Sequence, residues 1–315
     1  MSEITICSVS FGCYDYLDLN WELTKTLNKD TNVSWLIADN AIDSREKRMP
    51  VSDERFNIYE GVPKGDLGAN WHHAQALMML LDKVNSRFVL VLDPDFYIIR
   101  KNWVEDMISH MKHENLTFLG VPWHPSAYKK IRYFPSPHCL LIDTENLHKA
   151  DLDFHPATEV VDKNEKDVGG RWKELFKRYD KYVDEIERLK VGRRKDTGYS
   201  LKERFSGKRD IHFECLQAVF NPNRGAVSNF IDHFVPDSYS FTPKKRGYTV
   251  QATFSEIGFP FDPYGKGWEE FIWLGKPFGF HVRRYPKRKH GKYDATPDIE
   301  FIRSILDSLA GEHVA

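Results

Sequence analysis

The chain has 315 residues, 41% hydrophobic and 29% charged, which supports a large packed core and excludes a disordered polymer. Lys plus Arg number 45 against 46 Asp plus Glu, so no global field points to nucleic acid. No stretch approaches the roughly 20 apolar residues needed to span a bilayer.

Met1-Ser2-Glu3 leads straight into an apolar run, without the basic region or cleavage site of a secretory leader. The four cysteines (Cys7, Cys13, Cys139, Cys215) have neither CxxC spacing nor the density of a disulfide framework, so buried thiols in a cytoplasmic protein are expected.

In chain order, Ile4 to Ser10 predicts a first strand closed by Gly12, and apolar residues at helical spacing (Tyr16, Leu19, Leu23, Leu27) predict an amphipathic helix. Val33 to Ala38 predicts a second buried strand ending in Asp39-Asn40. A turn-prone stretch (Asp43 to Asp53) and a short strand, Phe56 to Tyr59, follow. Gly65 to Asn70 then opens a helix that runs through Ala74 to Leu81, with Asn70 as its expected cap.

Phe88-Val89-Leu90-Val91-Leu92 is a short continuous apolar run, the pattern of a strand covered on both faces, and it stops at Asp93-Pro94-Asp95. A helix over Asn102 to His113 and strands at Thr117 to Val121 and Cys139 to Ile142 come next. Strand–helix alternation with short links implies a mostly parallel α/β sheet flanked by helices. Lys163 to Lys195 reads as an inserted charged helix, Asp210 to Phe220 as one strand, and the aromatic- and Gly/Pro-rich C-terminal third as irregular until a helix over Asp298 to Leu309. The expected division is a catalytic unit over 1–235, with an insertion near 160–195, and an extension over 236–315 that completes the active site.

Carboxylates at the C-terminal end of a buried parallel strand emerge in the crevice where open α/β sheets bind ligands. Two of them, stiffened by Pro94, suit a hard divalent cation that also holds phosphate oxygens. Asp39-Asn40 ending the second strand, Gly68-Ala69-Asn70 opening a helix and Asp93-Pro94-Asp95-Phe96 ending the next major strand stand in this order over the first 145 or so residues. Together they resemble the GT-A nucleotide-sugar glycosyltransferases, in particular the inverting family 2.

That resemblance implies a GT-A, Rossmann-like fold and metal-dependent transfer of a sugar from a nucleoside-diphosphate sugar, UDP-sugar favoured, to a hydroxyl of a glycan or other acceptor. It implies that Ser10, Phe11, Gly12, Asp39 and Asn70 hold the nucleotide. It also implies that Asp95 is the direct ligand of Mn²⁺ or Mg²⁺, with Asp93 reaching ribose or a metal-bound water. A histidine from the C-terminal region often completes such a metal site; His281, delivered by a strand over Phe278 to Val282, is the candidate and His290 the runner-up.

The general base expected of an inverting transferase falls on Asp196, where Asp-Thr-Gly leads into a short helix, or on Asp167 in the echoing Asp-Val-Gly-Gly. Trp123-His124-Pro125 and Ser136-Pro137-His138 are expected to line the acceptor or donor-sugar pocket. The basic run Arg283 to His290 could clamp a diphosphate, touch an anionic membrane surface in peripheral contact, or meet an anionic acceptor; oligomerisation stays open. A sugar-phosphate nucleotidyltransferase is the alternative, but Phe11-Gly12-Cys13-Tyr14-Asp15 lacks the basic residue that class uses to hold triphosphate. A non-catalytic nucleotide- or glycan-binding module is the other.

Overall fold

The computed structural model describes residues 3–29, 31–41, 53–65, 67–124, 133–145, 147–157, 196–220, 249–250, 252–282 and 295–311. The charged insertion over 163–195 therefore lies outside the described residues, as do Asp167, Pro125 and the basic run with His290.

A seven-stranded sheet forms the centre of the chain. Its strands are β1 (Ile4–Ser10), β2 (Val33–Asp39), β3 (Asn57–Glu60), β4 (Phe88–Leu92), β6 (Phe118–Pro122), β7 (Pro135–Asp143) and β8 (Phe213–Cys215), in spatial order β3-β2-β1-β4-β7-β6-β8. β1 pairs in parallel with β2 and β4, and β2 with β3; only β7 runs antiparallel, between β4 and β6. This is the expected α/β architecture, a mostly parallel sheet flanked by helices.

Period two in the strands explains the layering. Phe88, Leu90 and Leu92 join a core with α1 (Tyr14–Leu27), α3 (Trp103–Glu114) and a C-terminal helix, α5 (Thr296–Gly311). Val89 and Val91 face the other way, into a core with α2 (Ala69–Leu81) and α4 (Tyr199–Phe205). Burial on both faces is why these strands read as unbroken apolar runs rather than alternating ones.

Three expectations need correction. Asn70 does not cap α2: Gly68, in extended conformation, is the capping residue, and Asn70 lies inside the first turn. Asp210 to Phe220 is not one strand. The chain breaks at Leu216, whose amide donates to the Gly120 carbonyl (2.8 Å), so β8 stays in the first sheet and β9 (Gln217–Val219) enters a second.

Among the described residues, the C-terminal third is also not irregular. β10 (Thr249–Val250), β11 (Glu269–Trp273) and β12 (Lys276–His281) join β9 and β5 (Phe96–Ile98) in a five-stranded sheet ordered β10-β9-β11-β12-β5. Short strands rich in Phe and Trp have no alternation to announce them; their pairing is set by burial against the first core, in which Phe271, Phe278 and Phe280 are all fully covered.

Candidate active site

The parallel register brings the ends of β1, β2 and β4 to one edge. Ser10 stands opposite Asp39, and the Ser8 hydroxyl donates to the Leu92 carbonyl at 2.7 Å. Beyond Leu92 the chain turns tightly: the Phe96 amide donates to the Asp93 carbonyl (3.0 Å), and β5 then departs into the second sheet. Asp93 and Asp95 are thus presented at the point where the two sheets part.

Both sheets deliver a histidine there. β12 pairs with β5 so that His281 faces Phe96, and the Val282 amide donates to the Asp95 carbonyl at 2.9 Å. His281 Nε2 lies 3.4 Å from Asp95 Oδ1. β7, because it runs antiparallel to β4, brings its first half to the same edge: the Asp93 amide donates to the His138 carbonyl (3.0 Å), and His138 Nε2 stands 3.7 Å from Asp93 Oδ2. One ligand atom each from Asp93, His138 and His281 lies within 4.8 Å of the others.

The surroundings hold these rings. Glu269, on β11 and almost wholly buried, accepts from His281 Nδ1 at 2.9 Å, and its other oxygen is 3.7 Å from Nδ1 of the buried His124. His124 is itself pinned, its Nε2 donating to the Val219 carbonyl at 2.9 Å. Ser136 Oγ lies 3.2 Å from His138 Nδ1, the Trp123 ring meets the His138 ring edge-on at 4.1 Å, and the His138 and His281 ring centres are 4.5 Å apart. His73, from α2, places Nε2 3.7 Å from Asp93 Oδ1.

Burial lowers the affinity of the His281 ring for a proton, but the Asp95 and Glu269 charges and hydrogen bonds outweigh it and lift its pKa to about 10. His73 goes the other way: burial dominates the attraction of Asp95 and brings it down to about 4, leaving a neutral ring. The donor set is a carboxylate with two imidazoles, with the Asp95 carboxylate against one of them, and these groups fit a divalent cation.

Of the residues expected to hold a nucleotide, Ser10 is fully buried and Asp39 half-buried at the ends of neighbouring strands. Asp39 Oδ1 accepts from the Ala41 amide (3.2 Å), an Asx-type turn that fixes the carboxylate at the strand end. Asn40 ties the same edge together, accepting from the Val62 amide (3.0 Å) and donating to the His72 carbonyl (3.3 Å). Gly12 has φ +67°, which turns the chain sharply after β1, and the Phe11 ring packs edge-on against His72 and His73 of α2. The Asn70 carbonyl accepts from Thr197 Oγ1 at 3.1 Å, so the buried Asp196 loop sits against the start of α2.

Two side chains of this cluster stand where no sequence pattern places them. His138 was expected in a pocket-lining segment after a strand, whereas it lies within β7 and enters the donor cluster. Glu269 lies among aromatic residues, and the signal that marks it is Glu269-Glu270 within an otherwise apolar run, two acids in a strand buried at every position.

No known protein-family profile matches the chain, and no curated protein matches it significantly. Solved structures to which it is similar include glycosyltransferases. They include S. aureus TarS 1–349 in complex with UDP-GlcNAc (13% identity over 48% of this chain and 48% of that one, TM-score 0.34). A second is the mannosyltransferase PcManGT from Pyrobaculum calidifontis in complex with GDP-Man and Mn²⁺ (9% over 46% and 45%, TM-score 0.34). A third is the glycosyltransferase GlyE of Streptococcus pneumoniae TIGR4 (9% over 68% and 45%, TM-score 0.37). The chain spans about half the length of these structures. Likenesses this distant assign no chemistry; that is read from the side chains. No described helix is long and apolar enough to cross a membrane.

Proposed function

We propose that the chain is a metal-dependent glycosyltransferase that moves a sugar from a nucleoside-diphosphate sugar, with UDP-sugar favoured, to a hydroxyl of a glycan or other acceptor, with inversion. The observation that carries this reading is the convergence of Asp93, His138 and His281 at the edge where β1, β2 and β4 end, the crevice in which open α/β sheets hold nucleotides.

Asp93, Asp95 and His281 would hold the cation, Mn²⁺ or Mg²⁺, which when bound would offset the charge that builds on the departing nucleoside diphosphate. Asp39 accepts from ribose hydroxyls or a base N–H, and Ser10, Phe11, Gly12 and Asn70 shape the nucleoside pocket. Asp196 takes the proton of the attacking acceptor hydroxyl; its burial against α2 keeps that carboxylate in one place. Asp167, the alternative base, lies outside the described residues, as does His290. Glu269 and His281 come from the C-terminal segment, in keeping with an extension that completes the site.

The experiment is a thermal-shift series with UDP, GDP, dTDP, CDP and ATP, each with and without Mn²⁺. Stabilisation by one diphosphate only when metal is present is the expected result, and it names the base. A response to triphosphate alone would favour nucleotidyl transfer instead, and no response to any nucleotide would overturn the reading.

A further inference from the structure

We propose that this is a two-imidazole centre, in which His138 joins Asp93, Asp95 and His281, and which selects a divalent transition cation of the Mn²⁺, Co²⁺ or Zn²⁺ class over Mg²⁺. The proposal deepens the donor-site reading by adding His138 to the ligands and a preference to the cation. It rests on that reading for the site's role but not for the binding itself.

The argument starts from the far side of each ring. Glu269 occupies Nδ1 of His281 at 2.9 Å, and Ser136 Oγ stands at Nδ1 of His138 at 3.2 Å. With Nδ1 engaged, Nε2 of each ring is the atom turned toward the carboxylates, 3.4 Å from Asp95 for His281 and 3.7 Å from Asp93 for His138. A metal-binding histidine is oriented in this way, by a partner on its second nitrogen.

The spacing is also suitable. Adjacent ligands in a tetrahedron with bonds of about 2.1 Å stand about 3.4 Å apart, against 3.7 Å between His138 Nε2 and Asp93 Oδ2 and at most 4.8 Å between any two of the ligand atoms of Asp93, His138 and His281. The edge-on Trp123 ring holds the His138 plane from behind.

Ligand chemistry then sets the preference. Mg²⁺ keeps oxygen ligands in a strict octahedron and parts reluctantly with its waters. Imidazole nitrogens suit the first-row transition ions, with affinity rising from Mn²⁺ through Co²⁺. An aspartate-only site would accept either class; a site with two nitrogens among four protein ligands would not.

The test is direct cation binding to the full chain without nucleotide, by calorimetry with Mg²⁺, Mn²⁺ and Co²⁺, together with X-ray absorption on the Co²⁺ form to count imidazoles. We expect Mn²⁺ and Co²⁺ to bind at least about tenfold more tightly than Mg²⁺ and the Co²⁺ spectrum to require two imidazoles. His138→Ala and His138→Gln, each checked for its fold by circular dichroism, should weaken Co²⁺ by about 10- to 100-fold and leave one imidazole. Equal affinity for Mg²⁺, or a one-imidazole spectrum in the unmodified chain, overturns the proposal even if both variants misfold. If Mg²⁺ matches Mn²⁺ and a nucleoside diphosphate still stabilises the protein, only the two-imidazole centre falls. If no cation binds with or without nucleotide, both readings fall.

Discussion

Glu269 and His281 are register partners across the β11–β12 pair, and the carboxylate of one accepts from Nδ1 of the other at 2.9 Å. The pairing of two strands thus decides which nitrogen of His281 faces Asp95. A Glu269→Gln substitution keeps the volume and removes the charge that holds the ring. Cation affinity is expected to drop by about 10- to 100-fold, read by Mn²⁺ paramagnetic resonance; an unchanged dissociation constant would mean that the strand backbone alone orients the ring.

Asp93 and Asp95 are separated by Pro94 but face different histidines, His138 and His281 respectively. Asp93→Asn removes the carboxylate of the donor cluster, and Asp95→Asn removes the one nearest Nε2 of His281. Each is expected to lower transfer or donor hydrolysis by at least about 100-fold, roughly 2.7 kcal/mol of barrier, with saturating Mn²⁺ restoring neither. Full activity of Asp95→Asn with metal present would contradict its proposed role.

Glu270, the next residue on β11, is wholly buried on the opposite face and accepts from the Phe254 amide (2.8 Å) and the Tyr264 amide (3.0 Å). Burial pushes its carboxyl up from 4.5 to about 7, against the pull of those two amides and with help from the Asp262 and Glu256 charges. The folded state therefore holds this proton more tightly than the unfolded chain does. The contribution is fully present below pH 4.5 and is lost as pH rises through 7, a fall of about 3 kcal/mol over the window. Denaturation midpoints measured between pH 4.5 and 8 should decline less steeply in Glu270→Gln than in the unmodified chain. Parallel declines would remove Glu270 as the cause.

The sheet edge was legible because its determinants are local. Apolar runs at β1, β2 and β4 can be satisfied only by burial on both faces, and each ends abruptly in a polar residue at the crevice: Ser10, Asp39, Asp93. His281 was legible through the family resemblance, which implies a C-terminal histidine, together with the short apolar strand that carries it. His138 was not, since its place depends on β7 running antiparallel beside β4, a pairing between Leu92 and Cys139 that no local pattern encodes. Glu269 is different: its partner His281 lies across a local hairpin, β11–β12, turned at Leu274-Gly275, and the pair of acids in an apolar run is the signal that marks it. Asn70 has a side chain that suits a cap, whereas the capping residue is Gly68, two residues earlier, in extended backbone.

Gly198 joins the proposed base to the metal-site strand. It sits at φ +76° two residues after Asp196, donates its amide to the Phe154 carbonyl (2.6 Å), and a Cβ there would stand 2.8 Å from Pro137 Cγ. Pro137 lies between Ser136 and His138 on β7. Gly198→Ala therefore carries a left-handed backbone penalty of about 1–2 kcal/mol and presses on a ring fixed within a buried strand. The expected result is a loss of about 1–3 kcal/mol in chemical denaturation, accompanied by weaker Co²⁺ binding because the push is passed to His138. A destabilised variant whose Co²⁺ affinity is intact would show that the Asp196 loop and the metal strand touch without influencing each other. A variant as stable as the parent would show that the loop relaxes out of the left-handed conformation without opposition.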